Sequence, residues 1–224
     1  MGVHAAAGGA VSAEPPEGAD SPARGRRRFS DVVAAEILDA ALAEFAAHGF
    51  EGASTRAIAQ RAGAHQPQIN YYFSTKEALW RAAMDRLFAE LGEVLDGLDI
   101  AGDPQAHAVT ALRRFARFAA RRPELHQIMS LESTSDSARL RWLTERHVRP
   151  LYDLFVHAWT RMRAAGVTVD LDPPRAFHLL VAFGAVPFAQ APWLRMVTGV
   201  EPSRQEWADE HADRLIALLL PGLA

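Results

Sequence analysis

The sequence predicts an all-α fold of about nine helices in two domains, and three observations carry that prediction. From residue 33 onward apolar residues recur three and four positions apart. No segment alternates apolar and polar residues as a half-buried strand would, and no internal repeat is present. Glycines and prolines fall mostly where one periodic run gives way to the next, as at Gly49, Gly63, Pro104 and Pro123.

Residues 1–28 are rich in Ala, Gly, Pro and Ser without periodicity, and end in Arg24, Arg26, Arg27 and Arg28. They read as a disordered basic tail, either an arm for a DNA minor groove or a solvated linker. Helix 1 is expected from Ser30, an N-cap residue, with Val33, Ile37, Ala41 and Phe45 as its buried stripe. His48 and Gly49 are stop signals, and Phe50 can fold back on the helix. Helix 2 is expected from about Thr55 to Ala62, capped by Ser54 or Thr55, with Ile58, Ala59 and Ala62 inward. Gly63 supplies the positive φ of a tight helix-to-helix turn. Helix 3 is expected from about Gln66 to Phe73, with Pro67 in its first turn. Ser74 is expected to cap helix 4, which carries Leu79, Trp80, Met84, Leu87, Phe88 and Leu91.

Asp103-Pro104 opens a helix with Leu112, Phe115, Phe118 and Ala119, and Pro123 opens a short one with Leu125, Ile128 and Met129. A long helix is expected over roughly 137–165, through Leu140, Leu143, Val148, Leu151, Phe155 and Trp159. Asp172-Pro173 starts the next, which Pro187 and Pro192 must kink or break. Ser203-x-x-Glu206 reads as a capping box for the last helix, which runs to Leu220.

Bulk composition narrows the function. The 224 residues allow one or two domains, and 49% apolar with 23% charged residues is ordinary for a globular protein. There is no cysteine, so neither a disulfide nor thiolate chemistry is open to the chain. No apolar run spans a bilayer; Leu215 to Leu220 is far too short. The first residues lack the apolar segment of a secretory signal, so a cytoplasmic protein without membrane partners is expected. A net charge of -3 disfavours unselective coating of nucleic acid but leaves local DNA binding open, since placement of charge decides. Lys76 is the only lysine; the remaining basic residues are arginine, a usage also produced by GC-rich codons.

The most informative stretch is Ser54 to Lys76. On helix 3, Ile69, Tyr72 and Phe73 point one way, and Gln66, Pro67, Asn70 and Tyr71 the other, with Gln68 at the rim. Gln and Asn can bond bidentately to adenine, and the Pro67 ring can touch a thymine methyl. Tyr71 can donate to a phosphate, and Thr55, Arg56 and Lys76 sit at helix starts suited to the DNA backbone. His65 either touches a base or only caps helix 3. The segment thus divides into readers (Gln66, Pro67, Gln68, Asn70), clamps (Thr55, Arg56, Tyr71, Lys76) and core.

These residues resemble the TetR (tetracycline repressor-like) family of bacterial transcriptional regulators. The likeness is carried by T-R-x-I-A-Q-R-A-G from Thr55 to Gly63, Gln66-Pro67, Tyr71-Tyr72-Phe73 and Lys76-Glu77-Ala78-Leu79, with Phe45 and Gly49-Phe50 ending helix 1. It covers roughly residues 29–80. Asn70 stands where an aromatic is frequent, and His65 where a smaller polar residue is, so operator sequence does not transfer.

The resemblance implies a helix-turn-helix DNA-binding domain over 29–91, with its motif at 54–73 and helix 4 from 74. It implies a ligand-binding and dimerisation domain over 92–224. It further implies a homodimer packed through the last two long helices, about 173–190 and 204–220, on a palindromic double-stranded operator. A repressor released by a small-molecule effector is expected. The alternatives are a regulator whose C-terminal domain senses a protein partner or nothing, and a helical enzyme. Pocket candidates are Phe88, Phe115, Phe118 and Met129, then Phe155, Trp159 and Phe183, with His147, His126 or Glu132 as polar contacts. For each, a plain core position is the commoner role of a residue at such spacing. The His residues show no H-x-x-x-H or H-E-x-x-H spacing, so no metal is expected, and no cofactor. No G-x-S-x-G, P-loop or dinucleotide fingerprint is present, so no enzyme is expected.

Overall fold

The computed structural model describes residues 22–97 and 104–223. Among these residues every regular element is helical. In chain order they are α1 (Pro22–Gly52), α2 (Thr55–Arg61), α3 (Gln66–Tyr72), α4 (Lys76–Leu95), α5 (Pro104–Arg121) and α6 (Glu124–Glu132). There follow α7 (Ala138–Leu143), a π-helical turn (Thr144–Val148), α8 (Arg149–Ala164), α9 (Pro173–Ala189), α10 (Ala191–Thr198), α11 (Gln205–Leu219) and a short 3-10 turn (Pro221–Leu223). Because α7, the π turn and α8 are continuous, ten rods are visible among the described residues. The tenth rod is α10, separated from α9 at the break expected of its prolines, with Pro192 in its first turn.

Helix α1 begins at Pro22, so Ser30 lies inside it and does not cap it. Proline is favoured in a first turn, and the arginines that follow are good helix formers, which extends the helix back through part of the expected tail. Residues 1–21 of that tail lie outside the described residues. At the other end Gly49 takes φ 67° and ψ 176° and kinks the chain, as its stop signal predicted. Two other caps differ from expectation. Thr75, one residue after Ser74, caps α4 by accepting from Ala78 N at 3.0 Å. The box at Ser203 does not form: Arg204 is the N-cap, and the Ser203 hydroxyl donates to Glu201 at 2.8 Å.

The N-terminal core gathers Ile37, Leu42, Phe45, Ile58, Ile69 and Trp80, all within 1% of complete burial. It joins α1 to the short helices α2 and α3, which could not persist alone at seven residues each. Helix α4 belongs to this core at its start and continues to Leu95 without breaking at Gly92. The far end of α4 packs on α5.

Helix α5 is the axis of the C-terminal half, with α11, α9, α4 and α8 against it. Gly184 permits the crossing of α5 and α9, because a Cβ there would sit 2.8 Å from the Phe115 ring. Two prolines shape the rest. Pro150 follows the π turn, and its missing N–H leaves the Arg146 carbonyl without a normal α-helical donor. Pro187 likewise frees the Phe183 carbonyl inside α9, and His211 Nε2 approaches that oxygen at 2.7 Å from α11. The bend that proline was expected to cause falls after Ala189, where α10 turns 75° from α9. No single helix among the described residues is long and apolar enough to cross a membrane.

Candidate nucleic-acid interface and cavity

The turn between α2 and α3 is built from local hydrogen bonds. Ser54 Oγ accepts from Ala57 N at 3.1 Å and caps α2. Gly63 takes φ 62°, and Ala64 N reaches back to the Ala59 carbonyl at 3.0 Å. Ile58 and Ile69 are buried on the inner faces of the two helices. That burial fixes the rotation of α3 and turns Gln66, Pro67, Asn70 and Tyr71 to solvent, with Tyr71 82% exposed. An apolar core on one side and amides, a proline ring and a phenol on the other make a surface able to read base edges.

Three expected contact residues have additional duties. Gln68 turns its Oε1 onto His65 N at 2.7 Å, so its side chain holds the start of α3 instead of lying open at the rim. His65 is the N-cap of α3. Lys76 donates from Nζ to the Glu51 carbonyl at 3.2 Å and sits 4.7 Å from the centre of the Phe50 ring. It therefore pins the end of α1 while keeping ammonium hydrogens to spare. Thr55 is half-buried and Arg56 exposed at the start of α2.

Sequence reasoning missed the contacts that join this unit to the rest. The Phe50 ring lies between Lys76 and Arg139, whose guanidinium is 3.9 Å from its centre. Arg139, in α7, also donates to the buried carboxylate of Glu132 at 3.1 Å. On the other side of α4, Arg86 donates to the Ala35 carbonyl at 2.7 Å and to Asp39 at 2.9 Å. Arg122, after α5, donates to Glu90 at 2.6 Å and to Asp39 at 3.2 Å. Hydrogen bonding to Glu90 raises the Arg122 guanidinium further above its already high range, against burial. Asp85 of α4 accepts from Arg146 Nε at 2.5 Å and lies 2.9 Å from His147 Nε2. Burial pushes His147 below the usual histidine range more strongly than Asp85 lifts it. None of these pairs has a fixed spacing in sequence; only the fold brings them together.

A cavity of about 490 Å³ lies among α4, α5, α6, α8 and α9. Phe88, Phe115, Phe118, Met129, Phe155 and Trp159 line it, as does His126, whose charged form burial disfavours. Phe183 does not line it and instead stacks on His211 at 4.7 Å. His147 stacks on Phe88 at 4.4 Å outside the lining, and Glu132 is occupied by Arg139. The aromatic residues could be picked from the sequence, but their facing depends on packing angles that it does not encode locally. Among the described residues no group of His, Asp and Glu is placed to hold a metal ion.

Residues 37–83 match the model of the bacterial regulatory proteins of the tetR family. The chain is 30% identical over 150 residues to the HTH-type transcriptional repressor AcnR of Corynebacterium diphtheriae, covering 64% of this chain and 72% of that protein. It belongs to the TetR family of transcriptional regulators. It is also 25% identical over 199 residues to the regulator BetI of Paraburkholderia xenovorans, across 85% of this chain and 94% of BetI. Among solved structures, the hemolysin II regulator HlyIIR shares the fold at a TM-score of 0.59 and 19% identity, over 85% of this chain and 98% of its own. AibR, in a complex with isovaleryl coenzyme A and operator DNA, shares it at 0.66 and 18%, over 84% and 98%. As in its relatives, the role of this TetR-family chain is transcriptional regulation through a helix-turn-helix, not catalysis.

Proposed function

We propose that the chain is a repressor that binds a palindromic operator as a homodimer and is released by a small molecule in the cavity beside α5. The observation that carries this reading is the course of α4. Its first residue, Lys76, pins the end of α1 beside α3, and its last, Leu95, lines the cavity. Anything that changes the cavity wall acts on the rod that supports the DNA-binding face. A ligand that fits one setting of α4 better than the other shifts the population between them. The AibR complex, with an acyl thioester and an operator on the same protein, supports such a division of labour.

Residues 29–91 act as the DNA-binding domain and 92–224 as the effector and dimerisation domain, with α4 shared between them. Gln66, Pro67 and Asn70 read bases; Thr55, Arg56, Tyr71 and Lys76 hold the backbone. Gln68 and His65 serve mainly to set the start of α3, and His65 is close enough to the exposed face to meet a base. The dimer forms through α9 and α11.

A gel-shift series on a bound operator tests this division. Gln66→Ala or Asn70→Ala should lose roughly 1–3 kcal/mol of discrimination between the operator and its base variants. Lys76→Met should weaken all sequences alike and lower the salt slope by about one unit. Equal loss of discrimination from both kinds of change would refute the assignment.

A further inference from the structure

The cavity has a shape and a charge state that select among ligands. Its lining along α5 runs from His107 through Ala111, Phe115 and Phe118 to Arg122, the residue just after the helix. Fifteen residues of rise make that about 22 Å of helix. A cavity lined continuously over this length is elongated, which suits an extended chain better than a compact ligand. Of the 29 lining residues only Asp96, His107, Arg122 and His126 can carry charge.

Away from the exposed mouth, none of these is a permanent charge left free for a ligand. Asp96 is exposed at the end of α4, and Gly97 beside it and Leu154 on α8 are the other exposed lining residues. The Arg122 guanidinium is spent on Glu90 and Asp39. Burial disfavours the charged form of His126. Trp159 Nε1 already donates to the Leu171 carbonyl at 2.9 Å. A carboxylate or ammonium seated in the apolar stretch would thus lose its hydration without meeting a fixed counter-charge. One polar atom does await a partner: Nδ1 of His107 is buried and has no hydrogen bond. It stands in the first turn of α5, at the opposite end of the channel from Arg122.

We propose that the cavity takes a single-chain aliphatic molecule with an uncharged hydrogen-bonding head, seated along α5 with its head on His107. The inference rests on the reading of this cavity as the effector site. The tail is held by Phe115, Phe118, Phe155 and Leu151 through burial alone, and the head hydroxyl or carbonyl pairs with the imidazole.

Primary alkanols from hexanol to dodecanol, titrated against the full chain without DNA, test it by calorimetry or by tryptophan fluorescence. Affinity should rise about fourfold per added methylene until the channel is full and then stop rising. The alkanoate of matching length should bind roughly tenfold or more weakly at mildly alkaline pH. Ala111→Phe should move the length limit to shorter chains, and His107→Leu should weaken alkanols several-fold while keeping the length dependence. Alkanoates binding as tightly as alkanols, affinity indifferent to chain length, or tighter binding of a planar polycycle would each overturn the proposal. A gel shift with the best alkanol separates the two readings. DNA held despite saturation counts against effector release and leaves the ligand class standing; no alkanol binding by protein that still binds DNA overturns the ligand class alone.

Discussion

At the scale of single residues, His211 shows how one side chain answers a backbone defect. Pro187 cannot donate to the Phe183 carbonyl, and the His211 Nε2 hydrogen takes the vacant place from another helix. The acceptor is a carbonyl, so Nε2 must carry a hydrogen. Phe183 and Trp207 stack on either side at 4.7 Å. His211→Leu leaves the buried carbonyl unpaired and should cost about 1–3 kcal/mol in denaturant unfolding. Burial lowers the affinity of His126, His147 and His211 for a proton relative to the usual 6.5. The unfolded chain then binds protons more readily than the folded one. Stability from these groups is intact above pH 6.5 and is lost as pH falls through that value. Denaturant midpoints should drop between neutral and mildly acidic pH, and less so in His211→Leu; an unchanged slope in that variant would show that the ring is not part of the effect. Proline and histidine are both visible in the sequence here, but their pairing 24 positions apart arises only from how α9 meets α11.

At the scale of elements, the helix-turn-helix was legible because its determinants are local. Ser54 as cap, Gly63 as turn, Pro67 in a first turn and the spacing of Ile58 and Ile69 all act within one or two turns of helix. Gly63 meets nothing within 4 Å where a Cβ would be, so steric room is not its reason; its φ of 62° is. Gly63→Ala should therefore cost about 1–2 kcal/mol in thermal or denaturant unfolding through backbone strain alone. Gly63→Asn should recover part of that, because asparagine tolerates this conformation better. Equal loss in both would point to packing instead. Element ends were read less well, for identifiable reasons. Two adjacent cap formers, Ser74 and Thr75, compete, and only the chain path selects Thr75. Ser203 has a nearer acceptor in Glu201 than the helix it precedes. The π turn at Thr144–Val148 could have been suspected from Pro150 inside a long apolar pattern.

At the scale of the whole molecule, exposed apolar groups lie beside the proposed dimer contact. Leu218 on α11 is 44% exposed, and Trp193, Met196 and Val197 on α10 are more so. These flank α9 and α11, the helices assigned to the two-fold contact. Leu218→Glu should shift the chain to a monomer in equilibrium sedimentation and weaken operator binding far more than half-site binding. The internal ties between the two halves were invisible in the sequence. Asp39 comes from α1, Arg86 and Glu90 from α4 and Arg122 from just after α5, and Phe50 meets Arg139 across nearly ninety positions. They hold the DNA-binding face to the cavity wall, the connection through which the proposed effector release would act. The most direct test of the account is selection of bound sequences from a random DNA pool, followed by footprinting with and without ligand. The account predicts an enriched palindrome whose half-sites lie about 34–36 Å apart, lost on Asn70→Ala with Gln66→Ala and protected only in the absence of the effector. A pool that enriches no palindrome, or one that these two substitutions leave unchanged, would contradict it.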